Sequence, residues 1–218
     1  MANFKIESYS ITINKTETVS AEVYQPTSAK AVYVFAHGAG TNMHHKFMKD
    51  LAAELASHQV ATFRYNFLYT ELKKKRPDFP PVAHQAVAAA IAKAHELFPT
   101  LPLIAGGKSF GGRMTSQYIS THALPFVTGL AFVGFPLHPA GNPGVDRAQH
   151  LAAIKIPMLF LQGTKDALAT WDLLTDVIAK LPTATVTPFE GADHSFKAGK
   201  KNLIPEIADS ISKWVGIL

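Results

Sequence analysis

The 218-residue chain contains no cysteine, which excludes disulfide bonds, a thiol nucleophile and cysteine-ligated metal sites. It also contains no run of about 18 apolar residues, the length a transmembrane helix requires. The N-terminal segment 1–7 lacks the apolar core of a signal peptide. We therefore expect a cytoplasmic protein with no membrane partner.

Charge is also sparse, because charged residues make up 17% of the chain against 47% hydrophobic residues, with a net charge of +5. This balance is typical of a compact folded enzyme, and we expect one domain over residues 1–218. The densest basic cluster, Lys73–Arg76, lies in a proline-flanked segment with no interleaved aromatic residues. We interpret it as a solvated loop rather than a nucleic-acid site. If the loop overhangs an active site, it would favour acidic substrates.

The most informative segment is 106–112, which reads Gly-Gly-Lys-Ser-Phe-Gly-Gly between a strand-like run and a predicted helix. Gly107-x-Ser109-x-Gly111 matches the nucleophile-elbow pattern, although an isolated match also fits an ordinary glycine-rich turn. The turn is sharp, so we expect Ser109 at positive φ with small residues on either side. Such a turn raises the hydroxyl to a helix N-terminus, where a developing negative charge is stabilised.

A serine nucleophile needs a base, an acid that orients the base, and donors for the oxyanion. Of the ten histidines, only His194 follows both Ser109 and the candidate acid Asp166, and we predict it as the base. Asp166 comes directly after the apolar run 158–161. Its rivals Asp172 and Asp176 are predicted to lie on the next helix and face water.

The oxyanion donors are predicted from the segment His37-Gly38-Ala39-Gly40, which follows the strand-like run 31–36. A small loop at the end of a strand can turn a backbone N–H toward the serine. We predict that the N–H groups of Ala39 and Phe110 form the oxyanion hole. His37 precedes the serine in the chain, so we expect it to be a structural, hydrogen-bonded histidine. The alternative interpretation of segment 37–40 is an ordinary glycine turn with no role in catalysis.

These motifs, together with segments 135–139 and 192–196, make the chain resemble the α/β-hydrolase superfamily over about residues 30–216. The resemblance is closest to a bacterial branch of small, lidless hydrolases near the dienelactone-hydrolase-like proteins. It implies a serine hydrolase with Ser109, Asp166 and His194 as catalytic triad, and it implies no defined substrate. Dienelactone hydrolases proper use a cysteine nucleophile, so their lactone substrate does not carry over.

The predicted fold is α/β, an α/β-hydrolase fold with a mostly parallel central sheet, helices on both faces and antiparallel strands at the N-terminal edge. Segment 134–157 provides only 24 residues, which leaves no room for a lid domain. Strands are expected at 3–13, 17–25, 31–36, 60–65, 102–107, 127–133, 157–162 and 184–189. Helices are expected at 46–57, 81–98, 110–122, 146–153, 171–181 and 203–215.

Several loop residues are expected to rim the site, with simple core packing as the alternative for each. The predicted substrate contacts are Phe67, Leu68, Leu137, His138 and Trp171. His44, His45 and His138 are interpreted as polar rim residues rather than a metal cluster, since no carboxylate stands at ligand spacing. We expect neither a metal nor a cofactor.

The sequence predicts a serine hydrolase that cleaves an ester or similar acyl bond of a small soluble substrate through an acyl-enzyme. One alternative is a hydrolase scaffold retained as a binding module with a silent triad. A second is acyl transfer to an alcohol or peroxide instead of water. The sequence alone determines neither the acyl group, the leaving group nor the oligomeric state.

Overall fold

The computed structural model describes residues 4–218, which form an eight-stranded sheet in the order β1-β2-β4-β3-β5-β6-β7-β8. β1 pairs antiparallel with β2, and β2 pairs antiparallel with β4, whereas every other pair is parallel. The predicted antiparallel N-terminal edge and mostly parallel sheet are confirmed. Asn3, where the first predicted strand begins, lies outside the described residues. The strands are β1 (Phe4–Thr12), β2 (Thr18–Pro26), β3 (Ala31–Ala36), β4 (Val60–Tyr65), β5 (Leu103–Lys108), β6 (Val127–Val133), β7 (Met158–Gly163) and β8 (Ala184–Phe189).

Helices cover both faces of the sheet, because alternate residues of each central strand point to opposite sides. Tyr33 and Phe35 of β3 pack in a cluster with α1 and α6, while Val32 and Val34 pack in the cluster that contains α3, α4 and α5. The helices are α1 (Lys46–Ser57), α2 (Leu68–Glu71), α3 (Pro80–Leu97), α4 (Phe110–Thr121), α5 (Trp171–Ile178) and α6 (Ile204–Val215), with a 3₁₀ helix at Asp146–Ala153.

Two helices differ from the sequence expectation by more than one residue at an end. The four-residue α2 was not predicted, since a single turn has too few residues to show a helical period. Helix α5 ends at Ile178 instead of 181. Pro182 follows closely, and the residue before a proline is disfavoured in helical conformation, so the helix ends early.

Two features are absent from the described part of the chain. Segment 134–157 between β6 and β7 contains only the 3₁₀ helix, so no lid domain covers the carboxyl edge of the sheet. Among residues 4–218, no helix combines the length and the apolar character that crossing a bilayer demands.

The parallel strands bring the predicted site residues to one edge of the sheet. β3, β5, β7 and β8 run in the same direction, so the loops after them emerge together at their carboxyl ends. These loops contain Ala39, Ser109, Asp166 and His194 respectively. Open α/β sheets bind their ligands at this edge.

Candidate active site

Ser109 occupies the sharp turn between β5 and α4. Its backbone has φ 49° and ψ −115°, a conformation that residues other than glycine seldom adopt. Its N–H donates to the carbonyl of Val133 at 3.2 Å, and its own carbonyl accepts from Arg113 N at 3.1 Å. The positive φ that the motif predicts is therefore present, and neighbouring backbone holds the strained turn in place.

The glycines of the elbow are required by close backbone contact. A Cβ on Gly107 would lie 2.4 Å from the carbonyl oxygen of Ala36. A Cβ on Gly111 would lie 2.6 Å from the carbonyl oxygens of both Ala36 and His37. Because real Cβ atoms do not approach oxygen this closely, only glycine lets α4 start directly against the end of β3.

His194 hydrogen-bonds with Ser109 across 85 positions of sequence, with Nε2 2.8 Å from Oγ. Its other ring nitrogen, Nδ1, lies 2.7 Å from Oδ2 of Asp166. An ionised carboxylate only accepts hydrogen bonds, so Nδ1 donates to Asp166 and Nε2 is left to accept the Ser109 hydroxyl proton. The structure thus joins the three predicted residues in one hydrogen-bonded chain.

Asp166 is 4% exposed and its carboxylate is fully engaged. Oδ2 also accepts from Gln162 Nε2 at 2.6 Å, and Oδ1 accepts from Leu168 N at 2.7 Å. These donors hold the carboxylate in one orientation toward the histidine ring. The rival acids, Asp172 and Asp176, are exposed on α5, away from this network.

The predicted oxyanion donors lie beside the serine. Ala39 and Ser109 line the same pocket, and Phe110 is the first residue of α4. Within residues 4–218, neither Ala39 N nor Phe110 N donates a hydrogen bond. A helix N-terminus and free N–H groups both favour a negative charge at this point. Their role as an oxyanion hole remains a prediction.

His37 is the first residue of the loop after β3 and is fully buried. Its Nδ1 donates to the carbonyl of Gly38 at 2.8 Å, and its Nε2 accepts from Phe67 N at 3.2 Å. Burial lowers the pKa of His37 to about 4, since desolvation disfavours the charged ring. The expected structural, hydrogen-bonded histidine is observed: it ties the loop after β3 to the backbone that follows β4.

Ser109 and His194 open onto a pocket of about 340 Å³. Its walls include apolar residues from the start of α1 and from the loop after Asp166. The lining residues are Gly38, Ala39, Thr41, His45, Phe47, Met48, Lys108, Ser109, Leu168, His194 and Ser195. Sequence reasoning did not assign Phe47, Met48, Lys108 or Leu168 to the site. Of these four residues, only Lys108 lies inside a sequence motif, the nucleophile elbow, that could have drawn attention to it.

None of the five predicted substrate contacts lines this pocket, and the structure corrects them. Phe67 and Leu137 are 0% exposed and belong to the main apolar core. Leu68 is also buried and lines a separate cavity next to the basic loop. These loops fold down onto the sheet, so their apolar side chains add to the core instead of facing a substrate.

His138 and Trp171 also have other positions. His138 is buried, with Nδ1 donating to the carbonyl of Pro139 and Nε2 accepting from Thr170 N, both at 2.9 Å. It therefore joins two loops and is not a rim residue, contrary to expectation. Trp171 is partly buried at the start of α5 and does not line the pocket.

A second serine–histidine pair provides a useful contrast. Ser116 Oγ lies 2.7 Å from His150 Nε2. Ser116 is 0% exposed, however, and its hydroxyl also contacts the carbonyl of Arg113. No carboxylate contacts His150 among the described residues. Burial lowers the pKa of His150 to about 4. We do not assign this pair a catalytic role, because Ser116 is buried and, within residues 4–218, His150 lacks an orienting carboxylate.

Other candidate sites receive little support from the described part of the chain. No group of three or more histidine, aspartate or glutamate side chains there is arranged to hold a metal ion. The basic residues Lys73–Arg76 are exposed. Lys74, Lys75 and Arg76 line a cavity of about 670 Å³, which shares no residue with the Ser109 pocket.

Comparisons with known proteins agree with this architecture. The family described as alpha/beta hydrolase domain matches residues 29–215. A dienelactone hydrolase from Anabaena variabilis superposes with a TM-score of 0.78 at 16% identity, over 98% of each chain. An alpha/beta serine hydrolase without a lid from Xanthomonas campestris gives 0.73 at 18% identity, over 95% of each chain. The esterase domain of a Rhodothermus marinus protein gives 0.73 at 16% identity, over 96% of this chain and 97% of that one.

At these identities the structural likeness is one of fold, and the family match covers most of the sequence. Both agree with the resemblance that the motifs carry, and the predicted α/β-hydrolase fold without a lid is confirmed. The chain belongs to the alpha/beta hydrolase domain family.

Proposed function

We propose that this protein is a serine hydrolase that cleaves an ester or similarly activated acyl bond of a small soluble substrate. The observation that supports this most is the hydrogen-bonded chain from Ser109 through His194 to Asp166, with the serine hydroxyl at the wall of an open pocket. Each of the three residue types has the contact that its role in acyl transfer requires.

Acylation begins when Ser109 Oγ attacks the substrate carbonyl carbon and His194 Nε2 takes the hydroxyl proton. Asp166 accepts from Nδ1 and stabilises the imidazolium that forms. The carbonyl oxygen becomes an oxyanion, to which Ala39 N and Phe110 N donate. The imidazolium then returns its proton to the leaving-group oxygen, the carbon–oxygen bond breaks, and an acyl-enzyme remains.

Deacylation repeats these steps with water as the nucleophile. His194 takes a proton from water, the hydroxide attacks the acyl carbon, and Ser109 leaves with the proton that His194 returns. The products are the free acid and the restored serine.

We expect the size and lining of the pocket to limit the acyl group that is accepted. Phe47, Met48 and Leu168 supply apolar wall, while Thr41 and His45 supply polar groups. A volume of about 340 Å³ without a covering lid suits a short aliphatic or single-ring acyl group. Esters of graded chain length are therefore the substrates to screen first.

A fluorophosphonate probe tests the assignment, because it phosphonylates only an activated serine. Wild-type protein should be labelled and lose ester hydrolysis in parallel, and Ser109→Ala should be unreactive. Ser116→Ala is the matched control, since Ser116 also contacts a histidine nitrogen but is buried. It should be labelled like the wild type.

The outcomes separate the proposal from its alternatives. Labelling that persists in Ser109→Ala would refute the nucleophile. A folded wild-type protein that neither reacts with the probe nor hydrolyses any ester would favour a silent binding module. Product analysis in the presence of an alcohol distinguishes acyl transfer from hydrolysis, since transfer yields a new ester.

A further inference from the structure

Lys108 directly precedes Ser109, and its side chain reaches the loop that carries the histidine. Its Nζ donates a hydrogen bond to the main-chain carbonyl of His194 at 2.5 Å. Lys108 is the last residue of β5, whereas His194 follows β8, three strands away in the sheet. The contact therefore ties the central strand to a loop at the edge of the sheet.

The surroundings of the ammonium group fit this single position. The nitrogen lies 5.2 Å from the ring centre of Phe196 and 5.8 Å from that of Phe47, which are distances of cation–π attraction. Gly134 provides the remaining space, since a Cβ there would lie 3.1 Å from Nζ. Two aromatic rings and a glycine thus form a site that accommodates the ammonium group of Lys108.

Charges around Lys108 come from two loops. Asp166 after β7 and Asp193 after β8 are the carboxylates that act on it. Helix α1 contributes only the uncharged ring of Phe47. Burial nevertheless outweighs the carboxylates and lowers the pKa of Lys108 to about 8, because the ammonium is held largely out of water.

The loop that Lys108 contacts is tightly wound around His194. Asp193 Oδ1 accepts from Ser195 N at 2.8 Å and from Lys197 N at 2.9 Å. Phe196 adopts φ 61° within the same turn. These contacts stay within the loop, and Lys165 N donates to the carbonyl of Ala192 at 2.9 Å, which joins the loop to the one after β7. The bond from Lys108 joins the main chain of His194 itself to the end of β5, directly beside Ser109.

We propose that the Lys108 ammonium is a positioning residue: it holds the main chain of His194 so that the ring lies between Ser109 and Asp166. The inference rests on the proposed function of that triad. Lys108 touches no reacting atom in this role, because it acts through the main-chain carbonyl of His194.

Lys108→Met tests the role because it keeps the chain length and removes the charge. The rate of fluorophosphonate labelling and kcat for an ester should fall by about 10- to 100-fold, the scale expected for a misplaced catalytic group. KM should change by less than about threefold. Lys197→Met, at an exposed lysine of the same loop, should behave like the wild type. A Lys108→Met protein that reacts at the wild-type rate would overturn the proposal.

Chemical rescue distinguishes the charge from simple packing. The chain has no cysteine, so Lys108→Cys carries a single thiol, which can be aminoethylated in denaturant and refolded to restore an ammonium at nearly the original length. Activity should return on aminoethylation and not on carboxamidomethylation. Equal loss in both forms would assign Lys108 a merely structural role.

A readout independent of turnover separates this inference from the proposed function. The His194 Nδ1 proton, bonded to Asp166, should give a downfield NMR signal that disappears in His194→Gln. The signal should be present in wild type and Lys197→Met and broadened in Lys108→Met; an unchanged signal would overturn the inference even if no substrate is found. If Lys108→Met does not fold, wild-type labelling should decline above about pH 8, and a flat rate to about pH 10 would count against the ammonium.

Discussion

Gln162 donates a hydrogen bond through Nε2 to Oδ2 of Asp166 at 2.6 Å, the same oxygen that faces His194. The other end of the amide is also engaged, because Gln162 Oε1 accepts from Phe135 N at 2.8 Å. Gln162 is fully buried near the C-terminal end of β7. It thus links the candidate acid to the backbone that follows β6.

Gln162→Leu should reduce both activity and stability. Asp166 would lose one of its donors and part of its fixed orientation, while Phe135 N would be left buried without a partner, at a cost of about 1–3 kcal/mol. Ester kinetics and urea unfolding of the same sample would measure the two effects. An unchanged kcat would show that Leu168 N and His194 suffice to orient the carboxylate.

Asp166→Asn should lower kcat by about 10³- to 10⁴-fold while the protein remains folded, since an amide no longer enforces the ring tautomer that the serine needs. Steady-state ester kinetics with a matched circular-dichroism spectrum would check this. Asp172→Asn, on the exposed face of α5, is the control and should leave kcat unchanged. Similar losses in both variants would contradict the choice of acid.

Gly111→Ala should destabilise the fold by about 3 kcal/mol, at the upper end of overpacking costs, because the new methyl meets two backbone oxygens that cannot move aside. Activity should fall too, since α4 and the loop after β3, which contains Ala39, would be pushed apart. Gly144→Ala provides the control, as a Cβ there meets nothing within 4 Å. Urea unfolding of both variants decides, and equal stabilities would mean that the turn can relax.

Acid should destabilise the protein through His37. Its pKa is about 4 in the fold against 6.5 for the free side chain, so the unfolded chain binds a proton first. Stability is then unaffected above about pH 6.5 and is lost as the pH falls toward 4, by up to about 3 kcal/mol from this group.

The variant His37→Asn isolates this effect. It should be less stable than wild type at pH 7 yet lose less stability between pH 7 and pH 4.5, as measured by urea unfolding. His44→Asn changes an exposed histidine and should retain the wild-type pH dependence. An equally steep pH dependence in His37→Asn would assign the effect to other groups.

Leu168→Ala should shift the preference toward longer acyl chains, because Leu168 forms part of the pocket wall. Each extra methylene that gains cover is worth about 0.8 kcal/mol, or about fourfold in kcat/KM. Ester substrates of graded length would measure the shift. Leu173→Ala, on α5 and outside the pocket, should keep the original preference.

The sequence predicted those parts of the site that depend on chain order and strand direction. Ser109, Asp166 and His194 each follow a predicted strand, and parallel strands bring such positions together. The strained elbow was also predictable, since its glycines indicate that two backbone segments approach each other closely.

Side-chain direction within loops was not predictable. Phe67 and Leu137 lie in the expected loops but turn into the core, while Phe47 and Met48 at the start of α1 face the pocket. An apolar residue in a loop is compatible with either position, and only the packed structure decides. Lys108 was missed because its contact spans 86 residues and no local pattern encodes it.

The positions of Ser109 and His194 relative to the sheet determine which of the two is lost first when the protein begins to unfold. Ser109 follows β5, which has parallel neighbours on both sides, whereas His194 follows β8, the half-exposed last strand. Amide exchange should therefore be slowest around the nucleophile and fastest around the base. Under mild heating, His194 would therefore be displaced first, while Ser109 would keep its native position on the sheet.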